Sequence, residues 1–83
     1  MINNKIIEIS EKLKYYVIEN IEYKGKKYIL TTQYDENQNT INENEYHVME
    51  LDLENNNLKI KQIKDKNIAN IVIKKLIEKT KNQ

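Results

Sequence analysis

The sequence predicts an α+β fold: an antiparallel β-sheet of four to five short strands, arranged as two hairpins, with one C-terminal amphipathic helix packed on it. Three observations point there. Runs rich in β-branched and aromatic residues alternate between two faces within residues 5–63. The single glycine, Gly25, separates two of those runs. From Asp65 onward the apolar period changes from two to that of a helix.

The first run, Lys5-Ile6-Ile7-Glu8-Ile9-Ser10, reads as a short edge strand. Leu13 to Tyr23 reads as a second strand, with Leu13, Tyr15, Val17, Ile21 and Tyr23 on one face and Glu19 interrupting it. Lys24-Gly25-Lys26 supplies a turn needing positive φ, so Lys27 to Tyr34 returns as the partner strand. Its alternation sets Tyr28, Leu30, Thr32 and Tyr34 against Lys27, Ile29, Thr31 and Gln33, and leaves open which set faces the core.

Asp35 to Glu45 is polar apart from Ile41 and reads as an exposed acidic loop that cannot order itself independently. Tyr46 to Leu53 resumes the strand pattern, and Glu54-Asn55-Asn56-Asn57 is a tight turn into Leu58 to Lys61. Asp65 is placed to cap a helix over about residues 66–80, with Ile68, Ile71, Val72, Leu76 and Ile77 on its apolar side. Ile73 widens that side, as packing across a sheet requires, and Lys79 and Lys81 carry the favourable sign for a helix C-terminus.

With 83 residues, 39% of them hydrophobic, the chain can fill one core, so residues 1–83 are expected to form a single domain. A core of this size contributes a net of about 3–5 kcal/mol, so a partner or a homodimer has stability to add. Cysteine is absent, which excludes disulfides and thiol chemistry and points to a reducing, cytoplasmic setting. The N-terminal residues carry no apolar stretch of signal-peptide length and no window reaches a membrane span. Ile, Lys and Asn number 14, 14 and 13 while Arg, Pro, Trp and Phe are missing, a bias that AT-rich codons produce.

Two consecutive hairpins, with Ile21-Glu22-Tyr23-Lys24-Gly25-Lys26-Lys27-Tyr28-Ile29-Leu30 in the first and Val48-Met49-Glu50-Leu51-Asp52 in the second, are followed by a terminal helix. This order resembles the small bacterial family of unknown function called DUF1292 over roughly residues 5–80. Its most specific piece is the pattern formed by Tyr23, Gly25, Lys26 and Tyr28, followed by an acidic loop. The resemblance implies a fold and no activity.

Chemistry is sparse. One histidine, His47, one serine, Ser10, and threonines at 31, 32, 40 and 80 assemble no nucleophile–base pair by spacing, so the chain is expected not to be an enzyme. No Asp-x-Asp-x-Asn-Gly loop is present, and one glycine cannot form a phosphate cradle, so neither a metal nor a cofactor is expected. Charge, by contrast, is strongly segregated: +2 over residues 1–27, −7 over 28–58 and +6 over 59–83, which predicts a bipolar molecule. The expected function is a non-catalytic protein-binding or regulatory protein that contacts a protein partner through the acidic segment 35–54. The charge contributors would be Asp35, Glu36, Glu43, Glu45, Glu50, Asp52 and Glu54. An alternative is a phage or mobile-element inhibitor of a host defence nuclease, of the anti-CRISPR kind, occupying a basic nucleic-acid-binding groove. Nucleic-acid binding through the lysine-rich helix ranks below both, because that helix lacks arginine and interleaved aromatics.

Overall fold

A computed structural model describes residues 3–42, 44–54 and 57–81 of the chain. Among the described residues six strands and one helix follow one another: β1 (Ile6–Ser10), β2 (Leu13–Tyr23), β3 (Lys26–Asp35), β4 (Thr40–Ile41), β5 (His47–Glu54), β6 (Asn57–Gln62) and α1 (Lys66–Lys81). All pairings are antiparallel. The sheet order is β1-β2-β3-β5-β6, with β4 on β3, so the fold is α+β as the periodicities predict.

The β2–β3 turn shows the local logic most clearly. Tyr23 pairs with Lys26, leaving Lys24 (φ 51°) and Gly25 (φ 80°) as the two loop residues, both left-handed. A two-residue turn of that hand matches the twist of the strands it joins. Its first position tolerates lysine at some cost, and its second is given to the one residue without a Cβ.

Higher along β2 the simple alternation fails. Val17 pairs with Thr31 but Glu19 pairs with Leu30, so Ile18 is an extra residue, a β-bulge. One inserted residue exchanges the faces of everything beyond it. The expected single face of Leu13, Tyr15, Val17, Ile21 and Tyr23 is therefore split. Tyr15 and Val17 share a face with Thr31, whereas Ile21 and Tyr23 lie with Tyr28 on the face that α1 covers.

The main core lies on the α1 side, where Tyr28, Leu30, Val72 and Leu76 are buried and Ile18, Ile21, Tyr23, Val48, Ile63 and Ile68 pack around them. The other face is closed by curvature. Ile9 of β1 and Ile60 of β6, at opposite ends of the sheet order, line one cleft with His47 and Met49. The curl thus covers Val17, Ile29 and Thr31, which are fully buried. Central strand β3 is consequently buried on both faces from Tyr28 to Thr32. That resolves the face assignment that its alternation left open.

Asp65 caps α1 as expected, its Oδ1 accepting from the backbone N–H of Asn67 (2.9 Å) and Ile68 (3.4 Å). The apolar stripe centres on Val72 and Leu76; Ile71 and Ile77 sit on its flanks, about 40% exposed. The described residues between Asp35 and Glu45 are exposed, and they are held to the sheet. Thr40–Ile41 returns as β4 against Tyr34 and Asp35, and the buried Thr32 hydroxyl reaches the carbonyls of Asn42 and Glu45. Asn55 and Asn56, where the β5–β6 turn was expected, lie outside the described residues, bracketed by the Glu54–Asn57 pairing.

Two stability predictions follow from this geometry. Gly25→Ala should lower unfolding free energy by about 1 kcal/mol through its left-handed backbone alone, since nothing lies within 4 Å of the added Cβ. Gly25→Asn should cost less, both variants being read by urea titration. Leu76→Ala, in the fully buried centre of the α1 stripe, should cost about 2–5 kcal/mol.

Candidate protein-binding surface

The sheet separates the acidic residues into two groups. Glu50 and Asp52 lie on β5 beside the β2–β3 turn, where Glu50 pairs with Tyr28 of β3. Asp35, Glu36 and Glu45 lie toward the other end of β3, about 23 Å away along the strand at 3.3 Å per residue for Asp35. Glu43 and the side chain of Glu54 lie outside the described residues.

Lysines answer three of the five described candidate acids, Glu36, Glu50 and Asp52. Glu50 Oε1 stands 3.4 Å from Lys26 Nζ, and Asp52 Oδ2 accepts from Lys61 Nζ at 3.0 Å. In the β5–β6 register Glu50 faces Lys61 and Asp52 faces Lys59. The −7 and +6 blocks thus meet across β5–β6 at these residues, while five of the eight lysines of the +6 block lie on α1.

At the far end the β1–β2 and β3–β4 turns enclose an open cleft of about 660 Å³. Glu11, Lys12, Lys14, Tyr34, Asp35 and Glu36 are among its lining residues, with Asn37, Thr40, Ile41 and Asn42 beside them. Asp35 Oδ1 accepts from the N–H groups of Asn37 (3.0 Å) and Gln38 (3.3 Å), which shapes the turn. Glu36 Oε2 lies 2.6 Å from Lys14 Nζ, and Glu8 faces Lys14 across β1–β2. The hydrogen bond to Glu36 raises the Lys14 pKa; partial desolvation opposes it, and the charges of Glu36 and Glu8 reinforce it.

Glu11 belongs to this cleft although the sequence gives no hint of it; only the adjacency of β2 and β3 brings it near Asp35. Glu45 is exposed at the start of β5, accepting from Asn42 Nδ2 (3.3 Å), with its Oε1 3.5 Å from His47 Nε2. The His47 ring meets Tyr15 edge-on at 5.5 Å.

Glu19, the interruption noted in β2, is fully buried. Its Oε1 accepts from Asn3 Nδ2 (2.6 Å) and the Asn20 N–H (2.9 Å), with Lys79 Nζ at 3.4 Å. Lys79 also donates to the Asn20 carbonyl at 2.7 Å, and Asn20 Nδ2 to Asn3 Oδ1. Burial alone would raise the Glu19 pKa; the Asn20 N–H, Asn3 and Lys79 outweigh it and hold the group below its ordinary value of 4.5. This cluster ties the chain start, the bulge and the last turn of α1 together. Its role is architectural.

A second, apolar groove of about 500 Å³ runs between α1 and the sheet, lined by Ile18, Leu30, Tyr46, Val48, Ile73, Ile77 and Thr80. Among the described residues no group of three or more His, Cys, Asp or Glu side chains could hold a metal ion, and no helix is long and apolar enough to cross a membrane. No family model, no curated protein and no solved structure matches the chain.

The Glu19 cluster predicts an acid limb of stability. The folded pKa lies below the unfolded one, so the contribution is complete above the unfolded value and is lost as pH falls through the folded one. Denaturation series between about pH 3 and 6 should show stability falling at the acid end, and Glu19→Gln should flatten that slope. An unchanged slope in Glu19→Gln would assign the acid limb elsewhere. Glu19→Ala, which strips the acceptor from Asn3 and Asn20, should cost about 1–3 kcal/mol at neutral pH.

Proposed function

We propose that this chain is a small cytoplasmic, non-catalytic protein-binding or regulatory module that takes a basic segment of a protein partner at its acidic end. The observation that carries this reading is the cleft between the β1–β2 and β3–β4 turns. Glu11, Asp35 and Glu36 are opposed there by Lys12 and Lys14, and Tyr34 and Ile41 supply apolar contact area. Ile41 is 38% exposed in this otherwise polar turn region. A lysine- or arginine-bearing loop would meet carboxylates at the rim and an aromatic surface between them. Of the acids singled out in the sequence, Asp35 and Glu36 contribute at this cleft and Glu45 at the neighbouring entrance to β5. Glu50 and Asp52 serve the sheet through their lysines.

Two features favour a rigid recognition surface over a flexible acidic tail. Asp35 is fixed by its own turn, and the carbonyls of Asn42 and Glu45 are anchored on Thr32. Such a surface speeds association with a basic partner and loses strength with salt, since screening reaches about 10 Å at 0.1 M ionic strength. Kinship with the DUF1292 family remains part of the proposal, resting on the Tyr23, Gly25, Lys26 and Tyr28 hairpin pattern.

The test compares two neutralised variants in affinity capture from the native host, followed by titration of the purified partner. Glu11→Gln/Asp35→Asn/Glu36→Gln keeps the turn, because asparagine offers the same Oδ1, and should weaken binding about tenfold at low salt. Glu50→Gln/Asp52→Asn, at the opposite end, should leave it within about twofold. Equal binding by both variants and the wild type would sink the acidic-cleft reading.

A further inference from the structure

β2 has a strand on its outer side for only part of its length. β1 pairs with it as far as Tyr16, and the backbone of Asn4 and Lys5 extends the contact to Val17. From Ile18 to Tyr23, among the described residues, β3 is the one strand neighbour of β2. An open edge of this kind is a template for another strand. Asn20 marks its outward direction, because its N–H and C=O both meet side chains rather than β3. Glu22, two residues on, points its backbone groups the same way.

Four features converge on that edge. The Ile18 bulge bends the strand where β1 stops. Glu19 turns a fully buried carboxylate back to the Asn20 N–H at 2.9 Å. Lys79 crosses from the last turn of α1 to the Asn20 carbonyl at 2.7 Å and stands 3.4 Å from Glu19. Asn3 holds both Glu19 Oε1 and the Asn20 side chain. A buried ion pair is a poor source of stability, since apolar side chains of similar volume often serve a core as well or better. Bulges, inward-pointing charges and covering elements are, however, the means by which natural sheets blunt an open edge. We propose that Glu19 and Lys79, with Asn3 holding the carboxylate in place, are an edge guard: they occupy the outward N–H and C=O of Asn20 and so keep the free half of β2 from accepting a strand of another chain. The guard is separate from the acidic cleft and acts whether or not a partner binds there.

Removal of a guard produces association without unfolding. In sedimentation velocity up to about 1 mM, Lys79→Ala, still folded by circular dichroism, should associate at roughly tenfold lower concentration than the wild type, because a backbone acceptor is released. Glu19→Ala/Lys79→Ala, which frees the Asn20 N–H as well, should associate more strongly still. Lys79→Arg keeps a donor and should match the wild type. So should Lys75→Ala, which removes the same charge from a lysine that reaches the Tyr23 ring instead. Ile68→Val, near the start of α1, costs stability without touching the edge and should stay at the wild-type level. Glu22→Pro added to Lys79→Ala removes the next outward N–H and should return it to wild-type behaviour. Association that is absent from Lys79→Ala, that appears equally in Ile68→Val or Lys75→Ala, or that persists in folded Lys79→Ala/Glu22→Pro would overturn the proposal.

Discussion

The extra residue in β2 is the constraint from which the rest of the structure follows. A straight β2 would present Tyr15, Val17, Ile21 and Tyr23 to one face, and α1 would find half its partners on the wrong side. By inserting Ile18 between the Val17–Thr31 and Glu19–Leu30 pairs, the strand serves two apolar surfaces in turn. Its first half closes the interior of the curled sheet. Its second half, with Ile18 itself, receives the helix. The same shift turns Glu19 toward the covered side, where a carboxylate is tolerable only with several donors. Asn3, the Asn20 N–H and Lys79 provide them.

Electrostatics follow from strand order in a similar way. Along the chain the charges are grouped by block, but antiparallel neighbours bring distant blocks side by side. Lys14 meets Glu36, Lys26 meets Glu50 and Lys61 meets Asp52. Exposed pairs of this type add little stability individually. Their main effect is to set opposite signs side by side, and the cleft between the β1–β2 and β3–β4 turns follows suit, bringing Glu11, Asp35 and Glu36 together with Lys12 and Lys14 around Tyr34 and Ile41.

What the sequence revealed, and what it hid, divides by range. The Gly25 turn, the long strands on either side of it, the Asp65 cap and α1 all rest on signals a few residues wide, and their bounds agree with the structure to within about two residues. The bulge was hidden because Val17, Ile18, Ile21 and Tyr23 are apolar in both phases of the alternation. β4 is two residues long, too short for any period to register. Glu11 and Asn3 acquire their roles from sheet order and sheet curvature, which no local pattern encodes. Of the candidate acids, identity was legible but grouping was not, since that depends on which end of β3 each one reaches.

The order of the sheet carries a final consequence, for the history of the molecule rather than its finished state. Apart from the short β4, each strand lies beside its predecessor, so the meander can be laid down in the order in which the chain is made, closing only short loops. Helix α1 comes last. The hydrogen bond from Lys79 to the Asn20 carbonyl spans 59 residues. The terminal turn of the helix thus clasps α1 to the middle of β2. Until it fastens, Tyr28 and Leu30 remain uncovered on the nascent chain, making the interval before helix docking the period in which this protein is most open to chaperones and to misassociation.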